Sequence, residues 1–205
     1  MINKGIKILI AISRFWEQRV NYSNALNKYV ILGVTGPNEY ENNVDNNWYT
    51  NYSAKWCLEY TTQILKKISD TNLDHYKKIL NETSLEKTEI SNWNKIVENI
   101  YLPYCKDLDV FIQNDGFLNK DLRPVSSIPI DQRPINQNWS WDKILRSPYI
   151  KQADVLQGFY FFEDDFSKDE LLNNFNYYEQ FTVHESSLSA CIHSILASKA
   201  NDLNK

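Results

Sequence analysis

NWYTNYSAKWCLEYTTQILKKI, residues Asn47–Ile68, sets Ala54, Leu58, Thr61, Leu65 and Ile68 at alternating steps of four and three, while Lys55, Lys66 and Lys67 fall off that line. Apolar and small side chains at those intervals gather on one side of a 3.6-residue helix, so the stretch predicts an amphipathic α-helix. Upstream, Ile8, Ile12, Phe15, Trp16 and Arg19 share one face of a helix predicted from Gly5 to Val20. Downstream, Leu73–Leu80 predicts a short helix. A longer one over Glu86–Tyr101 carries Ile90, Trp93, Val97 and Ile100 on one side, and Pro103, which lacks an N–H, stops it.

From Leu102 to Asn138 the periodicity breaks. Pro103, Pro124, Pro129 and Pro134 punctuate short apolar runs such as Val110–Ile112, which predicts an extended excursion across a surface. Connections of that length inside a domain are usually functional. Helical patterning returns over Ser140–Leu145, Ile150–Phe161, Ser167–Tyr178 and Ser186–Ala200. Ser167 ahead of Asp169 and Glu170 has the form of an N-cap followed by first-turn acids. Five Gly and six Pro are too few for a fold of many short strands. The fold class expected is all-α, with paired helices around a common centre.

The 205 residues are enough for one well-buried domain and marginal for two, so a single domain is expected. A charged fraction of 23% with 42% apolar residues excludes disorder as the dominant state. The apolar run Ile8–Ile12 ends at Ser13 and Arg14, far short of the ~20 residues a bilayer span needs, so neither a membrane helix nor a signal peptide is expected. A net charge of -4 with no run of Lys and Arg argues against a nucleic-acid partner. Cys57, Cys105 and Cys191 are odd in number and scattered, which predicts buried thiols in a reducing compartment, the cytoplasm. Sequons at Asn21, Asn51, Asn81 and Asn138 are what an Asn-rich chain produces by chance.

The chemistry concentrates in Gly33–Glu41, GVTGPNEYE, where two glycines and a proline permit an unusual backbone between two helices. Thr35, Asn38, Glu39 and Glu41 are followed by Asn42, Asn43, Asn46 and Asn47, then by Trp48 and Tyr49. Amides and carboxylates fork onto vicinal hydroxyls and aromatic faces stack on pyranose rings, so this is the equipment of a sugar site. A carboxyl enclosed by Tyr and Trp would keep its proton at neutral pH, which makes Glu39 the candidate general acid. Read without that chemistry, Glu39 and Glu41 cap the coming helix or face water.

GVTGPNEYENNVDNNWYTN (Gly33–Asn51) resembles the acid-bearing segment of glycoside hydrolase family 65, the maltose phosphorylase group. LNKDLRP (Leu118–Pro124), INQNWSWDKILRSPYIKQADVLQGFYFF (Ile135–Phe162) and TVHESSLSACIHS (Thr182–Ser194) resemble the same family in the same order, so the likeness covers nearly the whole chain. The resemblance implies that residues 1–205 are a single partial catalytic domain, part of an (α/α)6 barrel. An N-terminal β-sandwich, the early barrel helices and the C-terminal phosphate loop would fall outside it.

It also implies inverting phosphorolysis of an α-linked glucose disaccharide to β-glucose 1-phosphate and glucose, with Glu39 as proton donor and Lys151 and Gln152 as substrate contacts. Inorganic phosphate would be the co-substrate and no cofactor is expected, with a homodimer as an option for the full-length protein. Because phosphate is already an anionic nucleophile, one enzyme carboxylate suffices where a hydrolase needs two. The alternatives are a trehalase-like hydrolase of the same family and an inactive remnant. Helices deprived of neighbours would then leave aromatic residues such as Trp16 and Trp93 partly wet.

Other candidates read more plainly. His184, Glu185, Ser186 and Ser187 stand at a predicted helix start without a G-x-S-x-G elbow and fit capping better than nucleophilic chemistry. His184, Cys191 and His193 have no matching second pair for zinc, and no metal site is expected. Lys151 and Gln152 would, without the family match, be a solvated helix start. Phe159, Tyr160, Phe161 and Phe162 read as core, Trp139 and Trp141 as open candidates for sugar contact, and Asp115, Asp121 and Arg123 receive no role.

Overall fold

The computed structural model describes residues 2–201 and is helical, with nine α-helices among the described residues. They are α1 (Ile2–Arg19), α2 (Trp48–Thr71), α3 (Leu73–Thr83), α4 (Lys87–Asn99), α5 (Ile135–Asn138), α6 (Trp141–Arg146), α7 (Val155–Phe161), α8 (Lys168–Glu179) and α9 (Ser189–Asn201). Two short antiparallel hairpins, β1 (Asn21–Ser23) with β2 (Lys28–Val30) and β3 (Tyr104–Cys105) with β4 (Val110–Phe111), were not anticipated. Asn27 and Asp109 supply the positive φ that the two turns need, residue types that tolerate it. No helix among the described residues is long and apolar enough to cross a membrane.

The chain forms two compact units, one from residues up to Leu32 with Asn51–Tyr101, the other from Gly33–Thr50 with residues from Leu102 onward. In the first, α1 turns inward a face different from the expected one. Ile6, Ile10 and Ser13 are buried, whereas Ile8, Ile12 and Phe15 are exposed. Apolar residues occupy both sides of α1, so periodicity alone could not choose, and a buried Ser disguised the inner side. Ser13 is accommodated because its Oγ donates to Thr61 Oγ1 at 3.0 Å, and Thr61 in turn donates to the Cys57 carbonyl at 2.7 Å. Arg14 forks onto Glu89 at 2.6 and 3.0 Å. The Trp93 ring is fully buried, contrary to expectation, and its Nε1 donates to Glu17 at 2.7 Å, while Trp16 is half-buried. Asn72 caps α3 through a 2.9 Å bond from the His75 N–H, and Glu86 with Glu89 forms a capping box on α4.

The second unit packs around Trp48, whose ring stacks on Phe111 at 4.8 Å and Phe159 at 6.0 Å, with Phe166 at 5.8 Å. Of the run predicted as core, only Phe159 is buried; Tyr160 and Phe161 are exposed. The proline-rich excursion carries short 3-10 turns and is more firmly anchored than a surface crossing, because Ile112, Phe117, Ile128 and Ile135 are buried. Ile128 and Ile135 join Tyr40, Ile144 and Tyr149 in one apolar cluster. The predicted cap on α8 is present: Ser167 Oγ accepts from the Glu170 N–H, and Glu170 accepts from the Ser167 N–H at 2.8 Å. The cysteines are graded in burial: Cys57 is buried, Cys105 half-buried and Cys191 exposed.

Candidate active site

The segment bearing Glu39 is a closed loop held from both ends. Val34 and Val44 exchange backbone hydrogen bonds at 2.9 Å, and Gly33, at φ +61°, donates its N–H to Asp45 at 2.8 Å. Asn43 and Asn46 take left-handed conformations, which asparagine accepts more readily than most residues. Asn47 is the hinge into α2: its Oδ1 accepts from the Thr50 N–H at 2.9 Å and its Nδ2 donates to Asp154 at 2.9 Å.

This geometry revises the expected sugar-binding equipment. Asn46 and Asn47 are buried, with Asn46 donating to Asp115 at 2.6 Å, and Trp48 is core, so these side chains organise the loop and are not sugar forks or a ring platform. Glu41 is also internal, ion-paired with Lys120 and accepting from Gln113 Nε2 at 2.8 Å.

Glu39 is on the surface. Its side chain is 56% exposed, so the aromatic enclosure expected around it is absent in this unit. Lys151, from a segment more than a hundred residues away, forms an ion pair with it. The Lys151 N–H donates to Asn38 Oδ1 at 3.0 Å, and Gln152 Nε2 donates to the Pro37 carbonyl at 2.8 Å. Glu39, Lys151 and Gln152 are therefore brought to one place. A cavity of about 400 Å³ elsewhere in the unit, bounded by Phe159, Phe166, Leu171 and Leu196, is lined by none of them.

Beneath the pair lies a residue that the sequence reading passed over. Asp154 is buried, and each of its oxygens accepts one hydrogen bond, Oδ2 from the Asn38 N–H and Oδ1 from Asn47 Nδ2, both at 2.9 Å. Gly36 crosses so close that a Cβ there would stand 2.5 Å from Asp154 Oδ2 and 2.3 Å from Asn47 Nδ2. An Asp just ahead of an apolar helix reads as an N-cap, yet this one makes no side-chain cap bond to α7 and faces the loop instead.

Burial pushes its carboxyl up to about 7, against the opposing pull of the two N–H donors, and the Glu41 carboxylate adds to the rise. The unfolded chain ionises this group near pH 3.8, so between there and pH 7 the folded state holds the extra proton. Stability from this group is full below the lower value and is lost as pH rises through the upper one, on the order of 4 kcal/mol in all. The parent's Tm is expected to fall between pH 5 and pH 8, and Asp154→Asn is expected to flatten that fall. Thermal melts across that range test it, and equal slopes for parent and variant would refute the assignment.

The remaining candidates have structural employment. Glu185 accepts from the Ile135 N–H at 2.5 Å and the Asn136 N–H at 3.1 Å, and Tyr40 Oη donates to it. Capping is thus its role, although of α5 and not of the helix that follows it. Glu179 holds both histidines, His193 through Nδ1 and His184 through Nε2 at 3.3 Å, and the three potential ligand atoms lie within 4.8 Å of one another. The hydrogen bond from His193 holds the Glu179 carboxyl below the usual carboxylate range. Cys191 is exposed and stands outside that group. Trp139 has Lys143 Nζ 3.6 Å from its ring centre, whereas Trp141 is exposed and meets the Tyr40 ring edge-on at 6.2 Å.

Residues 1–205 match the glycosyl hydrolase family 65 central catalytic domain. The chain is 52% identical over 195 residues to a maltose phosphorylase of Bacillus subtilis (strain 168), covering 95% of this chain and 25% of that protein. It is 43% identical to an alpha,alpha-trehalose phosphorylase of Thermoanaerobacter brockii, covering 98% of this chain and 26% of that one. To a kojibiose phosphorylase of Halothermothrix orenii it is 41% identical, covering 100% of this chain and 26% of that one. A solved structure given as a candidate kojibiose phosphorylase from human microbiome superposes with a TM-score of 0.85 at 38% identity, over 96% of this chain and 28% of that one. The chain spans about a quarter of the length of the curated relatives it matches. Its fold is all-α and forms part of the helical barrel of that structural class.

Proposed function

Since the chain belongs to glycosyl hydrolase family 65, we propose that it carries the acid half of a disaccharide phosphorylase active site, with Glu39 as proton donor and Lys151 and Gln152 as substrate contacts. The observation that carries this reading is the meeting of Glu39 with Lys151 and Gln152 across the Asn38 clamp. Glu39 and the Lys151–Gln152 pair come from parts of the sequence more than a hundred residues apart. In this reading residues 1–205 are part of one (α/α)6-barrel domain.

In this reading the sugar enters between Glu39 and Lys151 and separates the pair. Lys151 turns to a hydroxyl of the glucosyl unit, and the exposed carboxyl of Glu39 meets the glycosidic oxygen. Parted from Lys151, the Glu39 carboxylate takes up a proton from solvent; a phosphate oxygen then bonds to C1 from the opposite face, the C1–O bond breaks, and its electron pair takes that proton from Glu39. The products are β-glucose 1-phosphate and free glucose. No cofactor takes part, and inorganic phosphate is the second substrate.

Maltose is the disaccharide favoured, because identity to the maltose enzyme exceeds that to the trehalose and kojibiose enzymes. The cytoplasm is the compartment favoured, because three free thiols, one of them exposed, suit a reducing environment. The test is release of glucose 1-phosphate by the full polypeptide carrying these residues, with maltose, trehalose and kojibiose each offered with and without phosphate. Turnover strictly dependent on phosphate and fastest on maltose is expected. Equal glucose release without phosphate would point to a hydrolase, and no turnover on any of the three would point to an inactive remnant; either overturns the reading.

A further inference from the structure

Resting on the assignment of Glu39 as proton donor, we infer that Asp154 is the positioning residue for that donor, the buried anchor that fixes where the acid stands relative to Lys151. Glu39 itself has no restraint other than its ion pair, and a side chain 56% exposed is free to swing. What is fixed is the backbone on either side of it. The N–H of Asn38, the residue just before Glu39, donates to Asp154 Oδ2, and the Tyr40 N–H, on the peptide just after Glu39, donates to Asn38 Oδ1 at 3.2 Å. The same Asn38 oxygen accepts from the Lys151 N–H. Asp154, three residues beyond Lys151, therefore ties the segment carrying the cation to the loop carrying the acid, and Asn38 is the shared knot.

Two further features make the anchor rigid. Asn47, the other donor to Asp154, cannot rotate away, because its own Oδ1 is committed to the Thr50 N–H and to Thr50 Oγ1 at 2.8 Å. Gly36 leaves no room on the remaining side, since even a methyl group there would overlap the Asp154 carboxylate. An Asn at position 154 would turn an NH2, which has no lone pair to offer, towards one of the two N–H donors whichever way it turned, whereas either oxygen of the native carboxyl can accept there even when protonated. The loop would have to shift to relieve that contact, and displacements near 1 Å at a reacting group cost on the order of 10²-fold in rate.

A residue that acts only through the acid should matter only when the acid is needed. α-Glucosyl fluoride supplies this distinction: phosphate bonds to C1, the C–F bond breaks, and fluoride leaves with the electron pair and no proton. In the full polypeptide, Asp154→Asn is expected to lower kcat for maltose phosphorolysis by roughly 30–100-fold, with KM changed less than about threefold, and to lower the rate on α-glucosyl fluoride by less than about fivefold. Asn38→Ala, which removes the acceptor for the Tyr40 and Lys151 N–H groups, should show the same split and serves if the Asp154 variant does not fold. Equal losses on both substrates, or an unchanged kcat on maltose, would overturn the inference. Absence of phosphorolysis in the parent would instead overturn the underlying reading of Glu39.

Discussion

Glu39→Gln is expected to lower maltose phosphorolysis by about 10²–10⁴-fold in kcat while leaving Tm within about 2 °C of the parent. The amide keeps the shape of the side chain but has no proton acidic enough to follow the electron pair onto a departing glucose. Its surface position means that nothing packed is lost. Loss of the partner for Lys151 costs little at so exposed a pair. Phosphorolysis of α-glucosyl fluoride should fall far less than that of maltose. Retention of more than about a tenth of the maltose activity would exclude Glu39 as the donor.

The largest expected effect on stability lies at Gly158. A Cβ there would sit 2.4 Å from Trp48 Cζ3 and 3.1 Å from Cη2, and the indole has nowhere to go, because Phe111, Phe159 and Phe166 surround it. Gly158→Ala should therefore cost about 3 kcal/mol and lower Tm by about 6–12 °C, despite alanine's better helix propensity. Gly5→Ala is the control: it lies in α1 with nothing within 4 Å of the added carbon, and it should leave Tm unchanged or raise it. A Gly158 variant melting with the parent would mean that the indole is not confined.

The contrast between these two glycines shows what the sequence could and could not disclose. Helix periodicity found every long helix to within a few residues, because the spacing of Leu58, Thr61 and Leu65 is a property of one segment alone. It failed to choose the inner face of α1, where Ser13 is buried and Phe15 is wet, because that choice depends on what Thr61 offers from another helix. The site divided in the same way. Glu39, Lys151 and Gln152 were singled out by family likeness; the structure pairs Glu39 with Lys151 and sets Gln152 against the Pro37 carbonyl, and their roles in catalysis are what is proposed above.

Asp154 and Glu185 were not legible, since an acid ahead of an apolar run has a local explanation, capping, that hides a distant one. The amides after Glu41 misled for a related cause: Asn46 and Asn47 look like sugar-binding groups until their partners, Asp115 and Asp154, are seen. Composition counts polar groups without showing which ones face inward.

The contacts that shape the acid loop are long in sequence: Asn38 waits on Asp154 across 116 positions, and Tyr40 on Glu185 across 145. A ribosome delivers the loop early and its supports late. Closing so wide a circuit carries a chain-entropy cost that local helices such as α2 avoid. During synthesis, then, the helices of the first half form while Glu39 rides on an unshaped strand. The loop that carries Glu39 is among the last parts of the polypeptide to take its form.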